Sequence, residues 1–268
     1  VVPSNKRQRE LARRRAERQA ARRAEERAKR RKRRTVLGLS IGGAALAVIL
    51  ILVLVSVLGG KDKDKAASPS ASPTPTPTPV TTACGAKTPP PVQKQTYKAE
   101  PAMTIDKNKT YTAHIKTSCG LIEFDMLADK APHTTNTIAF LASKHYFDGT
   151  YCHRMTATPG LQVLQCGDPE GTGGGGPGFT IPEENLAGAK YTRGTVAMAK
   201  TSAPHSTGSQ FFLVDKDSQL PAQYTVLGHM TPASLTVLDK IAAIGIANGQ
   251  DGPPKQRIYI ESFTVTAK

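Results

Sequence analysis

The first 34 residues contain few large apolar side chains, and an unbroken apolar run then extends from Val36 to Leu58. With 23 residues and no charge, that run predicts a helix. Such a helix would be about 35 Å long, enough to cross a hydrocarbon core of roughly 30 Å. The pattern then lapses. Residues 59–109 hold a charge run, Lys61-Asp62-Lys63-Asp64-Lys65, and a stretch from Ser68 to Pro91 dominated by Pro, Thr, Ser and Ala. Sequence of that kind buries no core and favours extended polyproline II, so a linker is expected, with a connector over 92–110. From Tyr111 a period of two sets in. Tyr111–Thr117 and Leu121–Met126 alternate around Ser118-Cys119-Gly120 and predict a hairpin. Thr134 to Lys144 sets Ile138, Leu141 and Ala142 at helical spacing. Strand-like segments follow at Cys152–Met155, Val163–Cys166, Thr195–Ala199, Phe211–Val214 and Thr225–Met230. Ser234 to Ile244 reads as a second helix with Leu238, Ile241 and Ala242 on one face, and Ile258–Val265 as a closing strand. Many short strands with two isolated helices predict a mainly β domain, a closed barrel capped by helices.

Charge divides the chain at the same places. Residues 1–34 hold 16 of the 36 Lys and Arg but only 4 of the 21 Asp and Glu. The remaining 20 basic and 17 acidic side chains nearly balance, which argues against a broad nucleic-acid surface on the folded part. Because the basic block precedes the apolar run, the positive-inside rule predicts a cytoplasmic arm at 1–34, a single-pass transmembrane helix at 36–58 and an extracytoplasmic domain beyond it. A cleaved secretory signal fits less well, since its apolar stretch is typically about 7–15 residues and ends at a small-residue cleavage site. The arm is expected to lie on anionic lipid at the cell membrane. It has no interleaved aromatics to stack on bases, so nucleic acid is not an expected partner. Cys84, Cys119, Cys152 and Cys166 all lie beyond the apolar run, where an oxidising compartment permits disulfides. The sequence favours Cys152 with Cys166, which flank one segment, and leaves Cys84 to pair with Cys119 or stay free.

Two segments carry the candidate chemistry. The first is Tyr151-Cys152-His153-Arg154-Met155, continued by Leu164-Gln165-Cys166-Gly167-Asp168; the second is Met198-Ala199-Lys200, continued by Gly208-Ser209-Gln210-Phe211-Phe212. An arginine among apolar neighbours is costly to bury, so Arg154 is expected to face a groove. Phe147-Asp148-Gly149-Thr150, a glycine-rich stretch at 171–178, Gly194–Ala199, Leu220 and Tyr224-Thr225-Val226-Leu227-Gly228 accompany them in order. Together these resemble the cyclophilin family of peptidyl-prolyl isomerases over roughly residues 110–267. The resemblance implies an eight-stranded closed barrel with two capping helices over 110–268. It implies isomerisation of X-Pro bonds in extracytoplasmic proteins, with proline-containing polypeptides as partners and neither cofactor nor metal. By the same resemblance Arg154, Gln165 and Gln210 are catalytic. Arg154 donates to the prolyl nitrogen of the twisted amide, and the glutamines hold Arg154 and the substrate backbone. Phe212 floors the proline pocket, Leu220 and Tyr224 wall it, Leu161 or Val163 fills it, and Ala199-Lys200 offers a backbone-binding edge.

The chain also departs from the family pattern. The stretch Thr156 to Leu164 is about three residues longer. The chain has no Trp, and Gln219 stands near the place of the family's groove tryptophan. Tyr224 replaces the groove histidine, Lys200 the usual Asn, and Cys152 the usual Phe. These changes imply an altered proline pocket with weak affinity for cyclosporin-type ligands. They also leave a rival function, a non-catalytic peptide-binding or chaperone module on the same barrel. Other chemistries fit poorly. Gly171–Gly178 lacks the Gly-Lys-Ser/Thr of a phosphate loop and is expected as a flexible loop beside the groove. Cys152, His153 and Cys166 lack zinc-ligand spacing. Pro204-His205-Ser206 near Ser209 lacks a nucleophile elbow.

Overall fold

The alternation that begins at Tyr111 folds as a hairpin. Strands β1 (Tyr111–Thr117) and β2 (Gly120–Met126) pair from Tyr111↔Met126 to Thr117↔Gly120, turning through Ser118-Cys119. Ala113, Ile115, Ile122 and Phe124 all face the interior, as a period of two requires. The computed structural model describes residues 81–268, which belong to one compact unit. The expected basic arm (1–34), the transmembrane helix (36–58) and residues 59–80 of the linker lie outside the described residues. Among the described residues no helix is long and apolar enough to cross a membrane.

Helix α1 (Pro132–Ser143) starts with Pro at its first position, where the missing N–H costs nothing. Strands β3 (Arg154–Thr156), β4 (Gln162–Cys166), β5 (Thr195–Met198), β6 (Phe211–Lys216) and β7 (Val226–Met230) follow. Helix α2 (Pro232–Ala242) is capped by the Thr231 hydroxyl, which accepts from the Ser234 N–H. Ser234 also binds the Glu123 backbone in both directions, at 2.7 and 3.0 Å, and so pins α2 to β2. A two-residue strand, β8 (Asp251–Gly252), and β9 (Ile260–Ala267) complete the sheet.

The strands form one antiparallel sheet in the order β8-β3-β4-β6-β5-β7-β2-β1-β9. It curls until the residues leading into β3 meet those leading into β9. Cys152 N–H donates to the Ile258 carbonyl at 2.9 Å, and Ile260 N–H donates to the Thr150 carbonyl at 2.8 Å. The expected count of eight strands is therefore corrected to nine: Asp251–Gly252 adds to the edge of β3. Inside the curl, Phe147 packs on Phe263 at 4.8 Å and on Phe211 at 6.0 Å between ring centres, with Ile138 and Leu141 from α1 and Leu238 and Ile241 from α2.

Residues 81–110 run along this unit. Thr82 bridges Arg257, Cys84 is bonded to Cys119, and Cys152 to Cys166. Cys84, left open in the sequence, thus closes a disulfide onto the β1–β2 turn. The longer stretch between β3 and β4 is a tight turn. Leu161 N–H donates to the Thr158 carbonyl at 2.9 Å, and Pro159 is followed by Gly160 at φ +77°, a backbone shape glycine adopts without strain.

Candidate functional site

Strand register assembles the site. Arg154 on β3 lies opposite Gln165 on β4, Gln165 opposite Phe212 on β6, Phe212 opposite Ala197 on β5, and Ala197 opposite Val226 on β7. Residues directly opposite share a face of the sheet. Their chain neighbours Met155, Leu164, Leu213, Val196 and Leu227 belong to the interior core. The row Arg154–Gln165–Phe212–Ala197–Val226 therefore lies on the outer face of a solid barrel.

At one end of the row the side chains form a polar relay. Asp251 accepts two hydrogen bonds from Arg154, from Nε and Nη2, each 2.7 Å long. Arg154 Nη1 donates to Gln165 Oε1 at 3.1 Å, and Gln165 Nε2 donates to Gln210 Oε1 at 2.8 Å. Gln210 Nε2 in turn donates to the carbonyls of Gly173 and Gly175, at 3.1 and 2.8 Å. Three of the five guanidinium N–H groups are thus engaged, leaving two without a partner among the described residues. The hydrogen bond to Asp251 raises the Arg154 pKa above its ordinary value, so the guanidinium stays charged. The same bond holds the Asp251 carboxyl below the usual carboxylate range.

The other end is apolar. Phe212, 5% exposed, packs edge-on to Tyr224 at 5.7 Å and tilted against Tyr191 at 6.1 Å. Val163, Ala197, Val214 and Val226 surround Phe212, and Leu161, Ala199, Leu220 and Tyr224 pack at the margin. Leu161 and Val163, alternatives in the sequence, both join this cluster. Tyr191 was not foreseen. Its hydroxyl donates to the Tyr224 carbonyl and accepts from the Tyr224 N–H, both at 2.9 Å, so it fixes the backbone that carries the Tyr224 ring.

Between the relay and the glycine-rich loop lies a groove of about 560 Å³, lined by Gln165, Gln210, Ala199, Lys200, Ser206 and the segment 173–180. Ala199 N–H is spent on the Gln210 carbonyl at 2.9 Å. Lys200 leans on Glu183 at 3.8 Å, and both side chains are mostly covered. The loop is not loose. Asp168, buried at its start, accepts from the N–H groups of Glu170, Thr172 and Gly173 at 2.6–2.9 Å. Burial pushes the Asp168 carboxyl up, but the N–H groups of Glu170, Gly173 and Gly175 outweigh it and leave the pKa below the usual range. A side chain at Gly175 would collide with the Asp168 carboxylate, so the close approach requires glycine.

The two ring nitrogens of His153 are buried without a hydrogen-bond partner among the described residues. Burial lowers its pKa below the ordinary imidazole value, Asp168 opposes that shift, and Arg154 adds to it.

All ten residues singled out in the sequence lie in the relay, the aromatic cluster or the groove wall. Asp251, Asp168 and Tyr191 complete the arrangement. Asp251 lies 97 positions from Arg154 in a two-residue strand with no period to read, and the pairing left no local sequence signal. Asp168 did leave one, an acid just before a run of glycines. No group of three or more potential metal ligands occurs among the described residues.

Residues 112–265 match the family described as cyclophilin type peptidyl-prolyl cis-trans isomerase/CLD. The chain is 43% identical over 159 residues to the probable peptidyl-prolyl cis-trans isomerase B of Mycobacterium tuberculosis, covering 54% of this chain and 51% of that protein. With the protein of the same name from Mycobacterium leprae it shares 44% over 167 residues, 58% of this chain and 56% of the other. It thus spans about half the length of these curated relatives. The peptidyl-prolyl cis-trans isomerase of Helicobacter pylori is 40% identical over 136 residues, 50% of this chain and 81% of that protein. A cyclophilin type isomerase of Cryptosporidium parvum, solved in the presence of the dipeptide Ala-Pro, matches at 26% identity with a TM-score of 0.52, covering 59% of this chain and 99% of the other.

Proposed function

The chain belongs to the cyclophilin-type peptidyl-prolyl cis-trans isomerases, and from that premise we propose that it accelerates rotation about X-Pro bonds in polypeptides bound on the Arg154–Phe212 face. The reading is carried by one observation: a charged donor relay and an aromatic floor meet within a single cross-strand row. Rotation about the amide is opposed by resonance, with a barrier of about 18–20 kcal/mol. No bond is cleaved, so no nucleophile is needed. As the C–N bond twists, resonance is lost and the prolyl nitrogen gains a lone pair that can accept a hydrogen bond. A donor that meets this nitrogen only in the twisted state lowers the barrier without tightening either planar isomer. The two N–H groups of Arg154 without a partner among the described residues serve this role, and Asp251 and Gln165 fix the plane of the fork. Phe212, Tyr224 and Leu220 take the pyrrolidine ring. The Ala-Pro dipeptide in the C. parvum relative supports proline-containing peptides as the substrate class.

The proposed clients are extracytoplasmic polypeptides, with the domain tethered by the 36–58 segment and the basic arm on the cytoplasmic side. Two disulfides suit an oxidising compartment. Uncatalysed X-Pro isomerisation takes tens to hundreds of seconds, slow enough to limit their folding. A second reading, peptide binding without turnover, is favoured by the ion pair of Arg154 with Asp251, which occupies part of the guanidinium fork. Measuring cis–trans exchange in an Ala-Pro-containing peptide, with the unaltered chain and with Arg154→Ala, separates them. Turnover lost in the variant supports the isomerase; peptide binding with no turnover in either supports the binding module.

A further inference from the structure

The glycine-rich wall of the groove is held from two sides, and the outer side belongs to residues ahead of the matched family region. Segment 171–178 contains six glycines in eight residues. Such a chain has many conformations of its own, so its shape must be imposed by neighbours. Asp168 and Gln210 grip it from within. On the outside, Tyr97 N–H donates to the Pro177 carbonyl at 2.7 Å. Gly178 sits at φ +91°, and a Cβ there would lie 2.7 Å from the Tyr97 carbonyl oxygen, so the two backbones touch in a way only glycine permits. Lys94 adds an ion pair to Glu170 at 3.6 Å.

This outer strap is itself anchored. The Tyr97 hydroxyl donates to Gln95 at 2.6 Å, Gln95 donates to the Lys144 carbonyl at 2.9 Å, and the Tyr97 ring packs edge-on against Phe140 at 5.0 Å. Farther on, the fully buried Asn136 of α1 donates to the carbonyls of Pro101 and Ala102 and accepts from the Thr104 N–H at 2.9 Å. The strap is therefore fixed to α1, and the loop is fixed to the strap. Gln210 is held by Gln165 on its strand side as well as by the loop, so the relay keeps a partner when the loop moves.

We propose that residues 94–97 form a positioning strap that sets the shape of the glycine wall and thereby the affinity of the groove for extended polypeptides. The proposal rests on the groove being the substrate site. Its substrate class is a chain long enough to lie along residues 173–176 as well as over Phe212; a short proline peptide that covers only the aromatic floor is indifferent to the strap. Tyr97 and Gly178 act through the loop and do not meet the reacting bond.

The test uses the full chain with Tyr97→Pro, which removes the N–H donor, and separately Gln95→Ala, which releases the strap from the Lys144 carbonyl. Amide hydrogen exchange over 171–178 is measured beside isomerisation of a short Ala-Pro peptide and of a long unfolded proline-containing polypeptide. Both variants are expected to speed exchange in the loop. KM for the long substrate should rise about fivefold, the worth of one net hydrogen bond, while kcat and the short-peptide kinetics stay as they were. Unchanged loop exchange and unchanged KM overturn the proposal. So does an equal loss of kcat on both substrates, which would mark general damage. If the unaltered chain shows no turnover, the isomerase reading fails; loop exchange and direct titration with the long polypeptide then decide the strap by themselves.

Discussion

The two ends of the outer row differ in what holds them. The relay Asp251–Arg154–Gln165–Gln210 depends on directional bonds, each with few alternatives, and Arg154 remains 38% exposed. The cluster around Phe212 depends on area removed from water, and Phe212 is 5% exposed. The relay draws on β3, β8, β4 and the glycine loop, whereas the cluster sits on adjacent strands whose side chains fill each other's space. On the proposed reading, the apolar cluster carries more of the stability and the relay more of the demand for precise geometry. An apolar cluster tolerates small shifts, because dispersion and burial have no preferred angle. A donor aimed at a lone pair does not tolerate them.

Substitutions can separate the two ends. The largest effect is expected from Phe212→Ala, which empties a buried aromatic site and should cost about 3–5 kcal/mol of stability, read by chemical denaturation. Little change in stability there would mean the cluster is not part of the core. Arg154→Ala should leave the unfolding midpoint nearly where it was and lower kcat/KM about 100-fold or more, the usual cost of removing a donor to a developing charge. A comparable loss of stability in Arg154→Ala would break the distinction. Asp251→Asn keeps the shape but removes the charge. It should lower kcat about fivefold and move stability by less than about 1 kcal/mol, because the pair is half-exposed. The smallest effect concerns His153. Its folded pKa lies below the ordinary value of about 6.5, so on acidification the unfolded chain takes up the proton first. The stabilising contribution is complete above about pH 6.5 and is lost as the pH falls toward and through the lowered folded value. Denaturation curves at a series of pH values for the unaltered chain and for His153→Asn isolate this term. Parallel curves would show that His153 is not titrating in that window.

Much of the barrel was legible because its strands obey a simple period. Tyr111–Met126 alternates cleanly, and both helices were found from Ile138/Leu141 and Leu238/Ile241 at helical spacing, each beginning two residues earlier at a proline. β8 was not legible. Two residues have no period, and Asp251–Gly252 exists as a strand only because the edge of β3 is there to receive it. Within the site, Arg154, Val163, Gln165 and Phe212 lie on strands, and Leu161, Ala199, Lys200, Gln210, Leu220 and Tyr224 lie in the segments between them, where the resemblance rather than any period located them. Two of the missing ones act across distance, Asp251 on Arg154 and Tyr191 on the Tyr224 backbone, whereas Asp168 acts on its own loop. Gly171–Gly178 reads as flexible from composition alone. Its order comes from partners that composition does not contain.

The placement of the row on alternate strand positions has a further consequence for how such a chain can change its length. Arg154, Gln165 and Phe212 are each followed or preceded by a core residue, Met155, Leu164 and Leu213. Adding or deleting one residue within β3, β4 or β6 would exchange the two sets, turning Arg154 into the barrel and Met155 out toward water. Parity along these strands is thus under the same constraint as chemistry. Insertions are absorbed where no parity is counted, at turns. The extra residues between β3 and β4 sit in such a place, closed by the Thr158–Leu161 turn, while Arg154 and Gln165 on either side of it remain directly opposite each other.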